Sequence, residues 1–131
     1  MPSDNGLNRP RIVWLILDQK AEEALALLAE HYKVDVPKLK VGLPKRHRKN
    51  IFGCYTPKNQ TISVLNSDII GNPFVILHEF YHHLRTSVSK EHRGTERNAD
   101  EFANDFIREY QAAATRYPSG IRNGSFAPRE S

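Results

Sequence analysis

Two histidines and a glutamate near residue 80 have the spacing of a metal-binding helix. The segment from His78 to His82 reads His-Glu-Phe-Tyr-His and so has the pattern H-E-x-x-H. On an α-helix, residues four apart lie one turn above each other on the same face, which allows both imidazoles to bind one ion. Glu79 projects about 100° away from His78, so its carboxylate can reach a water on the metal without binding the metal itself. This position predicts Glu79 as a general base.

A third ligand has to come from another element, because a catalytic zinc ion generally takes three protein ligands and leaves its fourth position to water. Glu96 is the best candidate. It lies 14 residues after His82, at the predicted start of the next helix, which leaves enough chain for that helix to fold back on the first. Ala99 is small enough to let the helices approach closely, and Asp100 could accept the outward N–H of His78 or His82. The sequence therefore predicts a zinc site with the ligands His78, His82 and Glu96.

Other residues near the motif carry weaker signals. His83 is one residue off the metal-binding face, and we expect it to be solvated. Tyr55, Tyr81 and Tyr110 could each donate a hydrogen bond to an oxyanion, but helical spacing places Tyr81 and Tyr110 in the core. Cys54 could cover the metal in a latent state, although a small buried strand residue needs no such role. The alternative for the whole site is structural, with His78 and His82 as surface or satisfied core residues and Glu96 as an exposed acid at a helix start, stabilised by the helix dipole.

Two predicted helices carry these side chains. Asn72 and Pro73 provide an N-cap followed by proline at the first helical position, and the apolar period continues to about Val88. The second helix begins near Thr95, a suitable N-cap, and ends before the proline at 118. The expected buried positions are Phe74, Leu77, Tyr81, Leu84 and Val88 in the first helix, and Ala99, Phe102, Ala103, Phe106 and Tyr110 in the second.

The residues before the motif predict a further helix and a small sheet. Residues 18–32 have the period of an amphipathic helix, and the apolar run 12–17 is either its backward extension, which we favour, or a short buried strand. Residues 39–43, 51–55 and 61–65 have strand character, and turn residues between the last two predict a hairpin. We therefore expect an α+β fold with an N-terminal helix, a three-stranded, mainly antiparallel meander, the H-E-x-x-H helix and a C-terminal helix that carries the third zinc ligand.

Length and composition predict one globular domain between two flexible tails. The chain has 131 residues, of which 39% are hydrophobic and 26% charged, and this excludes disordered and fibrous classes. Residues 1–10 and 118–131 are rich in Pro, Gly, Ser and Asn and predict tails around a folded domain at 11–117. The longest apolar run is too short to cross a bilayer or to serve as a secretory signal, and the single cysteine fits a reducing compartment, so we expect a cytoplasmic protein.

The charge of the chain is mildly basic. Nineteen Lys and Arg against fifteen Asp and Glu give a net charge of +4, which permits contact with nucleic acid without arguing strongly for it. One basic cluster comprises Lys38, Lys40 and the residues Lys45, Arg46, Arg48 and Lys49. Such a cluster is either a surface for nucleic acid or an acidic partner or, as we favour, a solvated loop. Aromatic residues do not alternate with these charges, which argues against stacking of bases on it.

Three stretches together resemble the ImmA/IrrE group of metallopeptidases and the wider gluzincins, whose zinc binds two histidines and a glutamate. Residues 53–57 followed by 61–64 are similar to that group's glycine-aromatic strand and hairpin. Residues 75–84 contain the H-E-x-x-H motif, and residues 96–103 are similar to its E-x-x-A-D-x-F-A helix. The resemblance implies a zinc-dependent peptidase with the ligands and base given above and with a substrate strand added to the sheet beside the metal. Because relatives with regulatory roles cleave transcriptional repressors, it also implies a transcriptional regulator as a target.

The predicted function is therefore zinc-dependent hydrolysis of peptide bonds in a protein substrate. The substrate would lie as an extended strand along a sheet edge, at residues 51–55 or 61–65. Two other classes stay open. One is a non-catalytic interaction domain stabilised by zinc, in which Cys54 or His83 fills the fourth metal position. The other is a DNA-associated protease of the SprT type that uses the basic loop 45–49 to contact DNA.

Overall fold

The part of the chain that the computed structural model describes, residues 6–44, 51–89 and 94–116, folds into four α-helices and a three-stranded sheet. The helices are α1 (Arg9–Leu17), α2 (Ala21–Tyr32), α3 (Pro73–Val88) and α4 (Glu96–Arg116), and the strands are β1 (Lys38–Val41), β2 (Gly53–Thr56) and β3 (Thr61–Val64). This confirms the predicted α+β class. The predicted C-terminal tail at 118–131 and the basic residues at 45–49 lie outside the described residues.

β3 is the middle strand of the sheet, in the order β1-β3-β2. β2 and β3 pair in antiparallel orientation, with Tyr55 opposite Ile62, which confirms the predicted hairpin. β1 instead pairs in parallel with β3, with Leu39 opposite Ile62. The expected mainly antiparallel meander is therefore wrong, and the sheet is mixed. The hairpin is encoded by its local turn, whereas a parallel pair needs a long connection, and the residues between β1 and β3 provide one.

The N-terminal region forms two helices rather than one. The run 12–17 is helical, as favoured, but Gln19 has a positive φ of 65° and separates α1 from α2. α1 begins at Arg9, inside the range that the sequence predicted as a tail. The reason is a local cap, since the Asn8 side chain accepts a hydrogen bond from the backbone N–H of Arg11 at 3.0 Å.

α3 lies at the centre of the hydrophobic core. It packs against α4 and against β2, so its buried residues spread over more of its surface than the single predicted stripe. Ile76 and Phe80 are fully buried together with the predicted Leu77, whereas Val88, at the end of that stripe, is 71% exposed. The other elements contribute Ile12, Ile16, Leu25, Leu28, Ile62, Val64, Ala103 and Phe106 to the core.

None of the helices in the described ranges combines the length and the apolar character that crossing a bilayer requires. The longest of them, α4, has the predicted amphipathic pattern. Ala99, Ala103 and Phe106 are buried along one face, and Phe102 and Tyr110 are partly buried beside them.

Candidate metal centre

The start of α3 determines which way the H-E-x-x-H motif faces. Asn72 lies at the N-cap, where its side-chain oxygen accepts a hydrogen bond from the backbone N–H of Val75 at 3.2 Å, and Pro73 is the first helical residue. Both features confirm the predicted helix start. The helix continues through His78 and His82, and the centroids of their rings lie 5.1 Å apart, as expected for residues one turn apart on one face.

The start of α4 brings the predicted third ligand to the histidine pair. The Thr95 hydroxyl accepts a hydrogen bond from the backbone N–H of Asn98 at 3.0 Å, which confirms Thr95 as the cap. Glu96 is the first residue of the helix, and its side chain extends toward α3. Ala99 is fully buried, in agreement with the expectation that a small residue allows the two helices to pack closely.

The carboxylate of Glu96 contacts both histidines. Its Oε1 lies 2.8 Å from Nε2 of His78, and its Oε2 lies 3.1 Å from Nε2 of His82. The side chain of His82 is 1% exposed and that of His78 is 13% exposed, whereas that of Glu96 is 73% exposed. Two largely buried imidazole nitrogens and one carboxylate from a second helix therefore face a common point, and the Glu96 side of that point is accessible to solvent.

Glu79 lies beside the same donors and is almost completely buried. Potential ligand atoms of His78, Glu79 and His82 all lie within 4.8 Å of one another, so the distances alone would allow either glutamate to be the third donor. Glu96 reaches the Nε2 atoms of both histidines, at 2.8 and 3.1 Å, and comes from a different helix, which favours Glu96 as the donor. This leaves the role of base to Glu79, since a base has to lie near the metal without binding it.

Asp100 orients the ring of His78. Its Oδ1 lies 2.8 Å from Nδ1 of His78. Because a carboxylate accepts hydrogen bonds, Nδ1–H is the donor, and Nε2 points toward Glu96. The sequence predicted this kind of partner for one of the two histidines, and metal-binding histidines commonly have one. Two imidazole nitrogens, a carboxylate oxygen and an oriented histidine ring form a donor set that fits a zinc ion.

His83 is fully buried, and the expectation that it is solvated is wrong. Its Nε2 lies 2.7 Å from the backbone oxygen of Asp35 and its Nδ1 lies 2.7 Å from the hydroxyl of Tyr55. Burial lowers the pKa of His83, while the backbone oxygen and the charge of Asp35 act in the opposite direction. The hydroxyl of Tyr55 is thus engaged with His83, which argues against Tyr55 as a donor to an oxyanion.

Of the remaining candidates, Tyr110 and Cys54 are placed away from the donors, whereas the ring of Tyr81 lies beside that of His82, with 5.8 Å between centroids. Tyr110 follows Glu96 by 14 residues in the same helix, which corresponds to about 21 Å along the helix axis. Tyr81 is partly buried, and its ring packs against that of Phe102 in α4. Cys54 precedes a residue that faces α3, so alternation along β2 directs Cys54 to the opposite side of the sheet. Both ring nitrogens of His83 already have partners in Tyr55 and Asp35. The placement of Cys54 and the contacts of His83 therefore disfavour a closed zinc site in which either residue fills the fourth position.

β2 is the sheet edge nearest to the motif. Residues 61–65 were one of the two predicted docking edges, but β3 is the middle strand and has a neighbour on both sides, so that prediction is wrong. β2 is the outermost strand on its side of the described sheet. A Cβ added to Gly53 would lie 2.8 Å from Cγ1 of Val75 and 3.6 Å from Cγ of Glu79. Our sequence analysis did not assign Gly53 this role, although a glycine inside a strand is a signal of close backbone approach.

Comparison with known proteins gave no match among family models, curated proteins or solved structures. The resemblance to the ImmA/IrrE group therefore rests on the motif residues themselves.

Proposed function

We propose that this protein is a zinc-dependent endopeptidase that hydrolyses peptide bonds of a protein substrate. His78, His82 and Glu96 would hold the zinc ion, and Glu79 would act as the general base. The observation that carries the proposal is the contact of one carboxylate, delivered by α4, with the Nε2 atoms of both motif histidines on α3.

The residues around the site supply the parts that peptide hydrolysis needs. When bound, zinc would supply a Lewis acid that polarises a peptide carbonyl and lowers the pKa of a water molecule. Glu79 would accept a proton from the attacking water and pass it to the nitrogen of the leaving amine. Asp100 holds the ring of His78 in the orientation that directs Nε2 to the ligand cluster, so fewer rearrangements are needed when a metal binds.

The substrate would bind as an extended peptide along the outer edge of β2. Main-chain hydrogen bonds to a sheet edge give affinity without a deep pocket. Gly53 brings the start of β2 close to Glu79, so a peptide on this edge would pass near the base. The resemblance to the ImmA/IrrE group suggests a transcriptional regulator as the substrate.

Contact with DNA has less support. Of the basic cluster, only Lys38 and Lys40 belong to the described residues, and both are exposed on β1. They lie on the strand at the other side of the sheet from β2, which separates them from the edge proposed for the substrate. Retention on DNA that falls steeply with salt would favour this second function.

The Glu79→Gln variant tests the proposed function. Glutamine has nearly the same shape but does not accept the proton, so we expect the variant to bind as much zinc as the parent and to hydrolyse a fluorescently labelled, unfolded protein about 10²–10⁴-fold more slowly. Zinc is measured by elemental analysis and hydrolysis by the release of fluorescence. Glu101→Gln, at an exposed glutamate of α4, is the matched control and should keep both properties. A Glu79→Gln protein that cleaves at the parental rate would eliminate the proposed base.

A further inference from the structure

Both ring nitrogens of His83 are engaged inside the protein. Nε2 lies 2.7 Å from the carbonyl oxygen of Asp35, and Nδ1 lies 2.7 Å from the hydroxyl oxygen of Tyr55. A carbonyl oxygen only accepts, so Nε2 carries the hydrogen. In the neutral ring Nδ1 is then an acceptor, and the Tyr55 hydroxyl donates to it. The two hydrogen bonds thus define one tautomer and one orientation of the ring.

This ring connects three separate parts of the fold. His83 belongs to α3 and directly follows the proposed ligand His82, Tyr55 belongs to β2, and Asp35 lies in the segment between α2 and β1. The ring of Tyr55 also packs edge-on against the His83 ring, with 5.3 Å between centroids. The contact is therefore a fixed link between the helix that carries the motif and the outer strand of the sheet.

Gly53 forms the second link between the same two elements. A Cβ at this position would lie 2.8 Å from Cγ1 of Val75 and 3.2 Å from the backbone oxygen of Ser63. β2 therefore approaches α3 more closely than a residue with a side chain at position 53 would allow. Gly53 and Tyr55 are two residues apart and therefore lie on the same face of β2. The strand is held against α3 at both positions, and Glu79 lies beside the first of them.

We propose that His83 and Tyr55 are positioning residues that hold the outer strand β2 at a fixed distance from Glu79 and thereby set the register of an extended peptide bound along β2. This inference rests on the proposed function, because it assigns these residues a role in substrate placement. Main-chain hydrogen bonds to the edge of β2 would give the peptide its affinity, so a strand that is held less firmly should bind the peptide more weakly. The three histidines of α3 thus have two roles. His83 positions β2, whereas His78 and His82 are the proposed metal ligands.

The tautomer of His83 is the first test, and it requires neither zinc nor activity. Nitrogen NMR of the imidazole side chains in the full chain distinguishes a protonated from an unprotonated ring nitrogen. We expect Nε2 of His83 to be protonated and Nδ1 to be unprotonated, and we expect the Nδ1 resonance to shift in Tyr55→Phe. A protonated Nδ1, or an unchanged resonance in the variant, would overturn the proposed link.

Steady-state kinetics of Tyr55→Phe are the second test. The variant keeps the ring and loses only the donor hydroxyl. We expect it to bind as much zinc as the parent, to show a KM for an unfolded protein substrate that is about three- to tenfold higher, and to keep kcat within about twofold. Tyr110→Phe, the same chemical change at the far end of α4, is the matched control. A parental KM in Tyr55→Phe, or a fall in kcat without a change in KM, would contradict substrate positioning.

A pair of His83 variants keeps the inference testable if Tyr55→Phe folds poorly. Glutamine retains one acceptor and one donor, whereas leucine retains neither. We expect the KM of His83→Gln to lie between those of the parent and His83→Leu, with equal zinc content in all three. Equal KM values in both variants would contradict the positioning role. The failure of this inference can be distinguished from the failure of the proposed function. An active parent with an unaffected Tyr55→Phe variant would refute only the positioning role, whereas a parent protein that neither binds zinc nor cleaves would refute the proposed function itself.

Discussion

The two ring nitrogens of His78 have different partners. Nδ1 is held by Asp100 and Nε2 faces Glu96, both at 2.8 Å. Asp100 is one helical turn after Glu96, so a single face of α4 supplies the carboxylate of the proposed ligand cluster and the carboxylate that contacts Nδ1 of His78. This division of roles follows from a spacing of four residues in the sequence.

The Asp100→Asn variant tests the orienting role. An amide can present its oxygen to Nδ1–H, but it lacks the negative charge that makes the imidazole a better donor to a metal, so we expect zinc affinity to fall about 10–100-fold without complete loss of binding. Competition with a chromophoric chelator measures the affinity. Asp105→Asn, at an exposed acid of the same helix that pairs with Arg108, should have no effect. Equal affinities of the parent and Asp100→Asn would rule out this role.

The pairing of α3 with α4 depends on how the chain enters α4. Gly94 has a φ of +79°, and a Cβ at this position would lie 2.4 Å from Cε2 of Tyr81. Thr95 then caps the helix and Glu96 follows. A glycine is therefore needed both for its backbone conformation and for the space that the Tyr81 ring occupies. Because Gly94 lies two residues before Glu96, its contact with Tyr81 helps to determine where the proposed ligand is placed.

Gly94→Ala should weaken zinc binding as well as stability. The left-handed backbone costs of the order of 1 kcal/mol with alanine, and the clash with Tyr81 displaces the start of α4 and hence Glu96. Gly42→Ala is a matched control, because Gly42 has a φ of +111° and no atom within 4 Å of the added Cβ. Denaturant unfolding and chelator competition are the measurements. We expect both variants to be less stable, and only Gly94→Ala to bind zinc more weakly. Parental zinc affinity in Gly94→Ala would contradict this account of α4 placement.

The proposed site joins two helices of the core, so metal binding and folding are coupled in the whole molecule. A ligand that binds only the folded state stabilises it by about 2.7 kcal/mol at a free concentration 100 times its Kd. For a chain of this size we expect added zinc to raise the melting temperature by several degrees and a chelator to reverse the rise. Thermal unfolding followed by circular dichroism measures both. In Glu96→Ala the melting temperature should no longer respond to zinc, and a full response in that variant would place the stabilising metal elsewhere.

Local sequence signals accounted for the arrangement of the proposed site. The cap at Asn72 and Pro73 marks the residue at which α3 begins, and the cap at Thr95 marks the residue at which α4 begins. Given these two helix starts, spacings of four residues place the histidines on one face and Glu96 with Asp100 on another. Each of these signals involves residues within one or two turns, which is why they can be recognised without knowledge of the tertiary structure.

Features that depend on contacts between distant segments were not predictable in this way. The burial of His83 requires β2 and the residue Asp35 to come together on α3, and nothing near His83 in the sequence indicates either partner. The parallel pairing of β1 with β3 likewise depends on which side of the hairpin β1 joins, and the alternation within residues 39–43 is the same for both sides. The break at Gln19 falls in the short polar stretch from Asp18 to Lys20, which contains neither Gly nor Pro and therefore lacks the usual signal of a helix end.

The zinc content of ligand variants tests the central claim most directly. Elemental analysis of the purified parent, His82→Ala, Glu96→Ala and the control Glu101→Ala gives the zinc bound per chain. If His78, His82 and Glu96 hold one ion, the parent and the control bind a single zinc per chain and the two ligand variants lose it. Full zinc occupancy in Glu96→Ala would contradict the claim that the third donor comes from α4.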